Sequence, residues 1–351
     1  MANLKQVAER AGVSTATVSN VLAGIARVSE RTRQRVLAAV RELDYHPDLI
    51  AQSLRTRSTK TLGMIIPDIA NPFFPQLVRG AEDAAWEERY LVITFNTDEQ
   101  RERERSALAL MRSRRVDGLL VIVSPLEDGR NEILQAAKSG MPIVALDRKL
   151  EGAGMDLVLV DNRMAARRAV EEMMRSGGRR IAFIGGPESL ENARERRQGY
   201  EDALRKAGVG IDPDLIAPGD YHRDSGYRQT ERLLALPAPP DAIFAANGMM
   251  AIGVMDALSE LPLTRTRQLV IGHFDDLASA PPAPWSTVTV SQPAYELGFQ
   301  GAKLLLDRIA GRGDRQRVEI RLQATVKVRR RDTGGGNPGP GGKKKPVKPT
   351  R

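Results

Sequence analysis

No cysteine occurs in the chain, and there are only three histidines, His46, His222 and His273. That excludes a disulfide framework, a thiolate nucleophile and Cys-ligated zinc, and leaves little for any other metal site. No metal and no cofactor are expected, and a reducing cytoplasm suits the composition. Long apolar runs are missing too. The longest aliphatic stretch, Leu119 to Val123, falls far short of the roughly 18 to 20 residues that span a bilayer. The opening Met1-Ala-Asn-Leu-Lys-Gln has no apolar signal region, so a cytoplasmic protein with no membrane partner is expected.

Charge is present but unevenly placed. The 351 residues carry a formal +9. Residues 1–60 hold ten basic and five acidic side chains, and residues 333–351 hold five basic and none acidic. The stretch between them is close to neutral, with 38 basic and 39 acidic groups. Both ends therefore suit a polyanion, and the body does not.

Residues 3 to 45 show helical periodicity and no strand pattern. Leu4, Val7, Ala8 and Ala11 form one apolar stripe, closed by Gly12, and Ser14 follows as an N-cap for a second helix whose Val18, Val21 and Leu22 face inward. Thr15, Ala16, Ser19 and Asn20 are left pointing outward. A third helix starts at Ser29, buries Val36, Leu37, Val40 and Leu43, and stops near Tyr45-His46-Pro47. Two helices joined through a glycine turn, the second opening with short polar residues, form a helix-turn-helix that enters the major groove N-terminus first. Asn pairs bidentately with adenine, Thr bonds a base or offers its methyl to thymine, and Ala makes apolar contact only. Arg27, Arg31, Arg33, Arg35, Arg55 and Arg57 suit phosphates. A plain three-helix bundle with a solvated basic surface fits the same local pattern.

From Leu62 short aliphatic strands alternate with helical stretches: Leu62–Ile66, Leu91–Phe95, Gly118–Val123, Ile143–Leu146, Leu157–Val160, Ile181–Ile184, Ala242–Ala245 and Leu269–Ile271. Strands apolar throughout are buried on both faces, so the expected fold class is α/β with doubly wound parallel sheets, two in tandem. In such sheets ligands bind beyond the carboxyl ends of the strands. There the sequence places Asp68, Asn71, Asn96, Asp98, Asp147, Asp161, Gly185-Gly186, Asn247 and Asp275, with Phe73, Phe74 and Tyr221 close by. Carboxylates and amides that bond hydroxyls, beside aromatic faces, are what a sugar or polyol site requires.

Longer motifs carry a resemblance. Leu4-Lys-Gln-Val-Ala-Glu-Arg-Ala-Gly-Val-Ser-Thr-Ala-Thr-Val-Ser-Asn-Val-Leu, Arg27-Val-Ser-Glu-Arg-Thr-Arg-Gln-Arg-Val and Tyr45-His-Pro-Asp-Leu-Ile-Ala-Gln-Ser-Leu-Arg55 resemble the headpiece and hinge of the lactose-repressor and galactose-repressor family of bacterial regulators. Leu62-Gly-Met-Ile-Ile-Pro-Asp, Val160-Asp-Asn, Arg180-Ile-Ala-Phe-Ile-Gly-Gly, Arg194-Glu-Arg-Arg-Gln-Gly-Tyr, Phe274-Asp-Asp and Gln292-Pro-Ala-Tyr-Glu-Leu-Gly are similar to later landmarks, in order. The resemblance implies a helix-turn-helix headpiece at 1–46 and a hinge helix and linker at 47–60. It implies a two-lobed core at 61–332 like type I periplasmic sugar-binding proteins, followed by a tail at 333–351 whose composition suggests disorder. One lobe would comprise about 61–161 and 292–320, the other about 162–291 and 321–332.

It also implies roles. Ser14, Thr15, Ala16, Thr17, Asn20 and Arg27 would contact operator DNA. The segment Pro47 to Arg55 is too short to be stable alone; in relatives two copies fold together in the minor groove, with Leu54 as a wedge, Ala51 allowing close approach and Arg55 along the groove. Leu54 could instead pack on the body, but Gln52, Ser53, Arg55 and Thr56 give it little apolar company. In the core, Phe73 and Phe74 would line the effector site with Asp147, Asn192, Arg196, Tyr221, Asn247 and Asp275, and Leu190 would share a loop with Asn192. Arg196 could also be a solvated member of the Arg194 to Arg197 run. Asp276 is expected to be structural. Gly248 after Asn247, His273 as an added residue, and the proline-rich 280–284 depart from the family pattern; His273 is read as filler rather than ligand contact.

The expected protein is a sequence-specific transcription regulator, a repressor, bound as a homodimer to palindromic double-stranded operator DNA on the nucleoid. A sugar, sugar acid or sugar phosphate would control it, and it would not be an enzyme. A transport solute-binding protein shares the body but has no use for the headpiece. A dinucleotide-dependent enzyme meets Gly185-Gly186, but no G-x-G-x-x-G follows a strand there and no Walker motif is present.

Overall fold

Asn3 opens the first described helix with a reciprocal cap, its Oδ1 accepting from the Gln6 N–H at 3.0 Å while the Gln6 side chain accepts from the Asn3 N–H at 2.9 Å. The computed structural model describes residues 2–22, 28–45, 58–113, 116–124, 130–150, 154–277, 284–312 and 316–330, in two units, Met1–Lys60 and Thr61–Arg351. The expectations for Arg27, Ala51, Leu54, Arg55, Arg57, the hinge helix and the basic tail lie outside the described residues, as does most of the proline-rich stretch.

The first unit has three helices, α1 (Leu4–Ala11), α2 (Thr15–Leu22) and α3 (Glu30–Glu42). Gly12 ends α1 with φ +60°, and its N–H returns to Ala8 and Glu9 carbonyls. Ser14 Oγ accepts the Thr17 N–H at 3.1 Å and so opens α2; Ser29 does the same for α3. Val7, Ala8, Ala11, Val18, Val21, Val36 and Ala39 form the core. Three expectations change here. Ser19 is buried, on the inner side of α2 with Val18, whereas Leu37 is 41% exposed because the core needs only one residue per turn of α3. Arg35 donates to the Ala11 and Gly12 carbonyls, so its guanidinium fastens the turn.

The second unit alternates strand and helix. In chain order come β1 (Thr61–Ile66), α4 (Phe73–Glu87), β2 (Leu91–Asn96), α5 (Arg101–Ser113), β3 (Gly118–Val121), α6 (Arg130–Lys138), β4 (Ile143–Leu146) and β5 (Asp156–Val160). Then follow α7 (Asn162–Arg175), β6 (Ile181–Ile184), α8 (Glu191–Lys206), β7 (Ile216–Ala217), α9 (Arg223–Leu234), β8 (Ala242–Ala245), α10 (Gly248–Ser259), α11 (Leu263–Thr266) and β9 (Val270–Phe274). The body closes with β10 (Ser286–Ser291), α12 (Ala294–Ile309), β11 (Glu319–Leu322) and β12 (Thr325–Arg329). One sheet has the order β11-β5-β4-β3-β1-β2 and the other β12-β10-β9-β8-β6-β7. Every pairing is parallel except β10 with β12.

Each sheet is one lobe, and the chain passes between them three times. It leaves the first lobe after β5, and α7 packs on the second lobe's β9, β10 and β12. It returns after β10, and α12 lies on the first lobe's α4, β3, β4 and β5. The last passage lies between β11 and β12, at 323–324, so the first lobe keeps the chain through Leu322 rather than to about 320. β3, β4, β5, β6 and β8 are buried along their whole length, as their aliphatic composition requires. His273 is a regular member of β9, paired with Ala245 on one side and Thr289 on the other.

Candidate functional site

The carboxyl ends of β1, β2, β4, β8 and β9 converge on one cleft between the lobes. All eight residues expected at an effector site, Phe73, Phe74, Asp147, Asn192, Arg196, Tyr221, Asn247 and Asp275, line it. Asp68 and Asn71, expected at the strand ends, line it too, and the structure adds Glu99, Arg148, His222 and Gln292. Asn96, Asp98 and Asp161 are not among the lining residues. Asn96 Oδ1 instead accepts the Ile69 N–H at 2.7 Å, and Asp161 caps α7. Leu190 belongs to the core, and Asn192 sits in the first turn of α8 rather than in a loop.

Phe73 and Phe74 begin α4, packed edge to face with ring centroids 5.1 Å apart. Asn71 Oδ1 accepts the Phe73 N–H at 3.1 Å and sets where that helix starts. Across the cleft stands Tyr221, whose ring lies where a Cβ on Gly186 would come within 2.3 Å of it. Gly186 is thus kept side-chain-free by the aromatic wall; it is no phosphate loop.

Arg196 is buried on α8 and commits three of its five N–H donors within the protein. Its Nε donates to Asn162 Oδ1 at 2.8 Å, Nη1 to the Ala246 carbonyl at 2.5 Å and Nη2 to Gln292 Oε1 at 3.3 Å, while Cζ stacks 3.9 Å above the Phe274 ring. Asn162 follows the first passage between lobes and Gln292 the second, so one guanidinium holds both. Arg196 is no member of a solvated run. Gln292 Nε2 also donates to Asp275 Oδ1 at 2.5 Å, and Asp275 Oδ2 accepts the Gly248 N–H at 3.0 Å. Asp276 turns away to Ser291 and Lys327, as adjacent residues on a strand must.

A second guanidinium was not foreseen. Arg148 forks onto Glu99 at 2.7 and 3.0 Å and donates to the Val123 carbonyl at 2.8 Å. Burial pulls its pKa down, but the charge and hydrogen bonds of Glu99 outweigh that and raise it. Beside it Asp147 accepts from Asn192 Nδ2 at 3.2 Å, a bond that spans the lobes. Burial lifts the Asp147 carboxyl above its usual range, against the pull of Arg196 and Arg148. Burial also pushes the Tyr221 phenol up to about 12. Sequence clues existed: Arg148 follows Asp147 at a strand end, and Asn162 and Gln292 stand in motifs noted above. Their roles depend on partners such as Glu99 and Arg196 that only the fold brings near.

Asp147, Tyr221 and Asp275 hold φ of +60°, +70° and +72°. Non-glycine residues adopt this region at a cost of about 1–3 kcal/mol each, and such residues cluster where ligands are clamped. His273 lies behind the site, its Nδ1 3.1 Å from the Phe274 and Asp275 carbonyls and its Nε2 3.2 Å from Thr289 Oγ1; burial lowers its pKa.

In the first unit Thr15, Ala16 and Asn20 are exposed on α2, whereas Thr17 is half-buried with Oγ1 2.9 Å from Ser14 Oγ. Among the described residues no helix is long and apolar enough to cross a membrane, and no group of three or more His, Asp or Glu could hold a metal ion.

Residues 3–48 match the model of the bacterial regulatory proteins of the lacI family, and residues 59–327 that of the periplasmic binding proteins and sugar binding domain of the LacI family. The chain is 35% identical over 328 residues to the ribose operon repressor of Halalkalibacterium halodurans, covering 93% of this chain and 96% of that protein. Its fold is similar to a transcriptional regulator CelR–cellobiose complex, with TM-score 0.69 and 30% identity over 95% of this chain and 100% of the other. It is also similar to the lac repressor dimer bound to operator and the anti-inducer ONPF, with TM-score 0.78 and 28% identity over 93% and 97%. With a helix-turn-helix unit, a two-lobed parallel-sheet core and both family models matched, the chain belongs to the LacI family of bacterial transcriptional regulators.

Proposed function

We propose that this regulator is a non-enzymatic repressor that binds a palindromic operator on the nucleoid as a homodimer, and that a small sugar-like effector in the interlobe cleft controls it. The observation that carries this is Arg196, a cleft-lining cation whose hydrogen bonds hold both Asn162 and Gln292 at the passages between lobes. A ligand oxygen bonded by Arg196 would act on the parts that set lobe closure. Lobe closure in turn would set the spacing of two hinges on DNA, a coupling of typically about 1–3 kcal/mol that is reciprocal between effector and operator.

At the DNA end, Thr15, Ala16 and Asn20 would read base edges, with Ser14 and Thr17 shaping the start of α2. Arg27, Ala51, Leu54 and Arg55 keep the roles implied by the resemblance. For the dimer, Trp86 is 74% exposed beside the edge strand β2, where Leu91 and Ile93 are 60% and 53% exposed. An edge strand with exposed aliphatic groups is suited to cover by a second copy. The test is operator affinity of the full-length protein with and without sugars. A change in affinity is expected, and removal of residues 1–60 should abolish operator binding while leaving sugar binding intact. No change with any sugar, sugar acid or sugar phosphate would refute effector control.

A further inference from the structure

Both sheets point strand ends at the cleft, so each lobe has a second pole turned away from it. β1 runs toward the cleft, ending short of Asp68, and its first residue, Thr61, marks the far pole of the first lobe, where residues 1–60 are joined. β10 also runs toward the cleft, ending beside Gln292. β12 is antiparallel to it, with Thr325 opposite Ser291 and Arg329 opposite Thr287. The chain therefore leaves the body at the far pole of the second lobe, opposite the pole to which the headpiece is attached.

That pole is basic, although the body as a whole is close to neutral. Register sets the ends of five strands in one row, Arg329 beside Thr287, Ser286 beside Val270, Val270 beside Ala242 and Ala242 beside Ile181. At about 4.8 Å per strand the row is about 19 Å wide. Arg329 and Arg330 stand exposed at one end of it, Arg265 and Arg267 are exposed ahead of β9, and Arg179 is exposed ahead of β6. Two acids beside the row are engaged. Asp241 Oδ1 accepts the Arg179 and Arg180 N–H groups at 2.8 and 2.9 Å, and Asp212 pairs with Arg180 at 2.9 Å. From Arg329 to Arg351 the sequence holds eight basic side chains and one acidic, Asp332, with Val347 its only aliphatic residue. The match to the family model stops at residue 327, so this stretch lies outside what that model describes.

Resting on the reading that the headpieces bind DNA, we propose that the far pole of the second lobe, with residues 331–351, holds the phosphate backbone of a second DNA segment without regard to its sequence. The protein would then bridge two duplexes, one at each pole. Duplex DNA carries one negative charge per about 1.7 Å of axis, which suits a row of arginines continued by a lysine-rich stretch. Guanidiniums fork onto phosphate oxygens, and lysines add point charge. Insertion into a lipid surface needs an apolar face, which Arg329 to Arg351 does not have.

The experiment uses the full-length protein, one random-sequence duplex fixed on beads and a second, fluorescent duplex in solution. Wild type is expected to hold the second duplex on the beads, and capture should fall steeply with salt, by about 0.9 in log–log slope per phosphate contact. Deleting residues 331–351 together with Arg265→Glu and Arg330→Glu should cut capture at least about tenfold while the headpieces keep the bead duplex bound. The deletion alone, which touches no described residue, should give part of that loss. Equal capture by the altered proteins would overturn the proposal, since the headpieces or association between dimers would then account for the bridge. Stronger capture of single-stranded RNA or of phosphatidylserine vesicles than of the second duplex would overturn it too. If wild type holds the bead duplex and captures no second one, the proposal falls and the headpiece reading stands; if it holds neither, both fall.

Discussion

Arg196 makes three hydrogen bonds and two ring contacts, to Phe274 and Tyr221, from a single side chain, an arrangement that depends on the planar fork of guanidinium. Arg196→Lys keeps the charge and loses the geometry. It is expected to reduce effector affinity by about tenfold or more and to flatten the operator response, as measured by calorimetry and by operator titration with ligand. Asp147 gives a pH test. Burial raises its pKa in the folded state, so the neutral form is favoured there, and the stability this contributes is present at low pH and lost as pH rises through the folded value. Asp147→Asn, which cannot ionise, should therefore melt higher than wild type near neutral pH. That advantage should vanish as pH falls toward the ordinary 3.8 of an unfolded aspartate. A melting-temperature difference independent of pH would contradict a buried, destabilising charge at this site.

At the scale of elements, α2 depends on its cap. Ser14→Ala removes the oxygen that accepts the Thr17 N–H, at a cost of about 1 kcal/mol. Operator affinity should fall while effector binding stays unchanged, which titrations of the same preparation with each ligand would show. The body's buried strands were legible as aliphatic runs, because a strand covered on both faces has no room for polar residues. β10, β11 and β12 were not. β10 alternates Thr and Val, and the edge strands β11 and β12 carry Glu319, Arg321, Lys327 and Arg329 on their exposed sides, so they form no aliphatic run. β7, two residues long, offers no pattern at all. The site was legible where chemistry sits at a strand end, as at Asp147 and Asp275. It was illegible where a residue's role comes from a distant partner, as with Arg148 and Glu99 or Gln292 and Arg196.

For the whole molecule, assembly can be probed at β2. Leu91 and Ile93 lie two apart and share a face of the strand, so Leu91→Asp with Ile93→Asp puts charge on the proposed dimer surface without touching the core. Sedimentation velocity should show the shift from dimer to monomer, with weaker operator binding; an unchanged dimer would move the interface elsewhere. The three passages between lobes have another consequence, for the order in which the body is made. The second lobe's central strands β6, β8, β9 and β10 come from one continuous stretch, but the first lobe waits for α12 and β11, and the second lobe's edge waits for β12. A chain emerging from the ribosome therefore has its whole complement of cleft residues, through Gln292, before either sheet is closed. Ligand recognition is completed by strands that touch no ligand, and a chain ended before Glu319 would carry every binding residue and lack both closing strands.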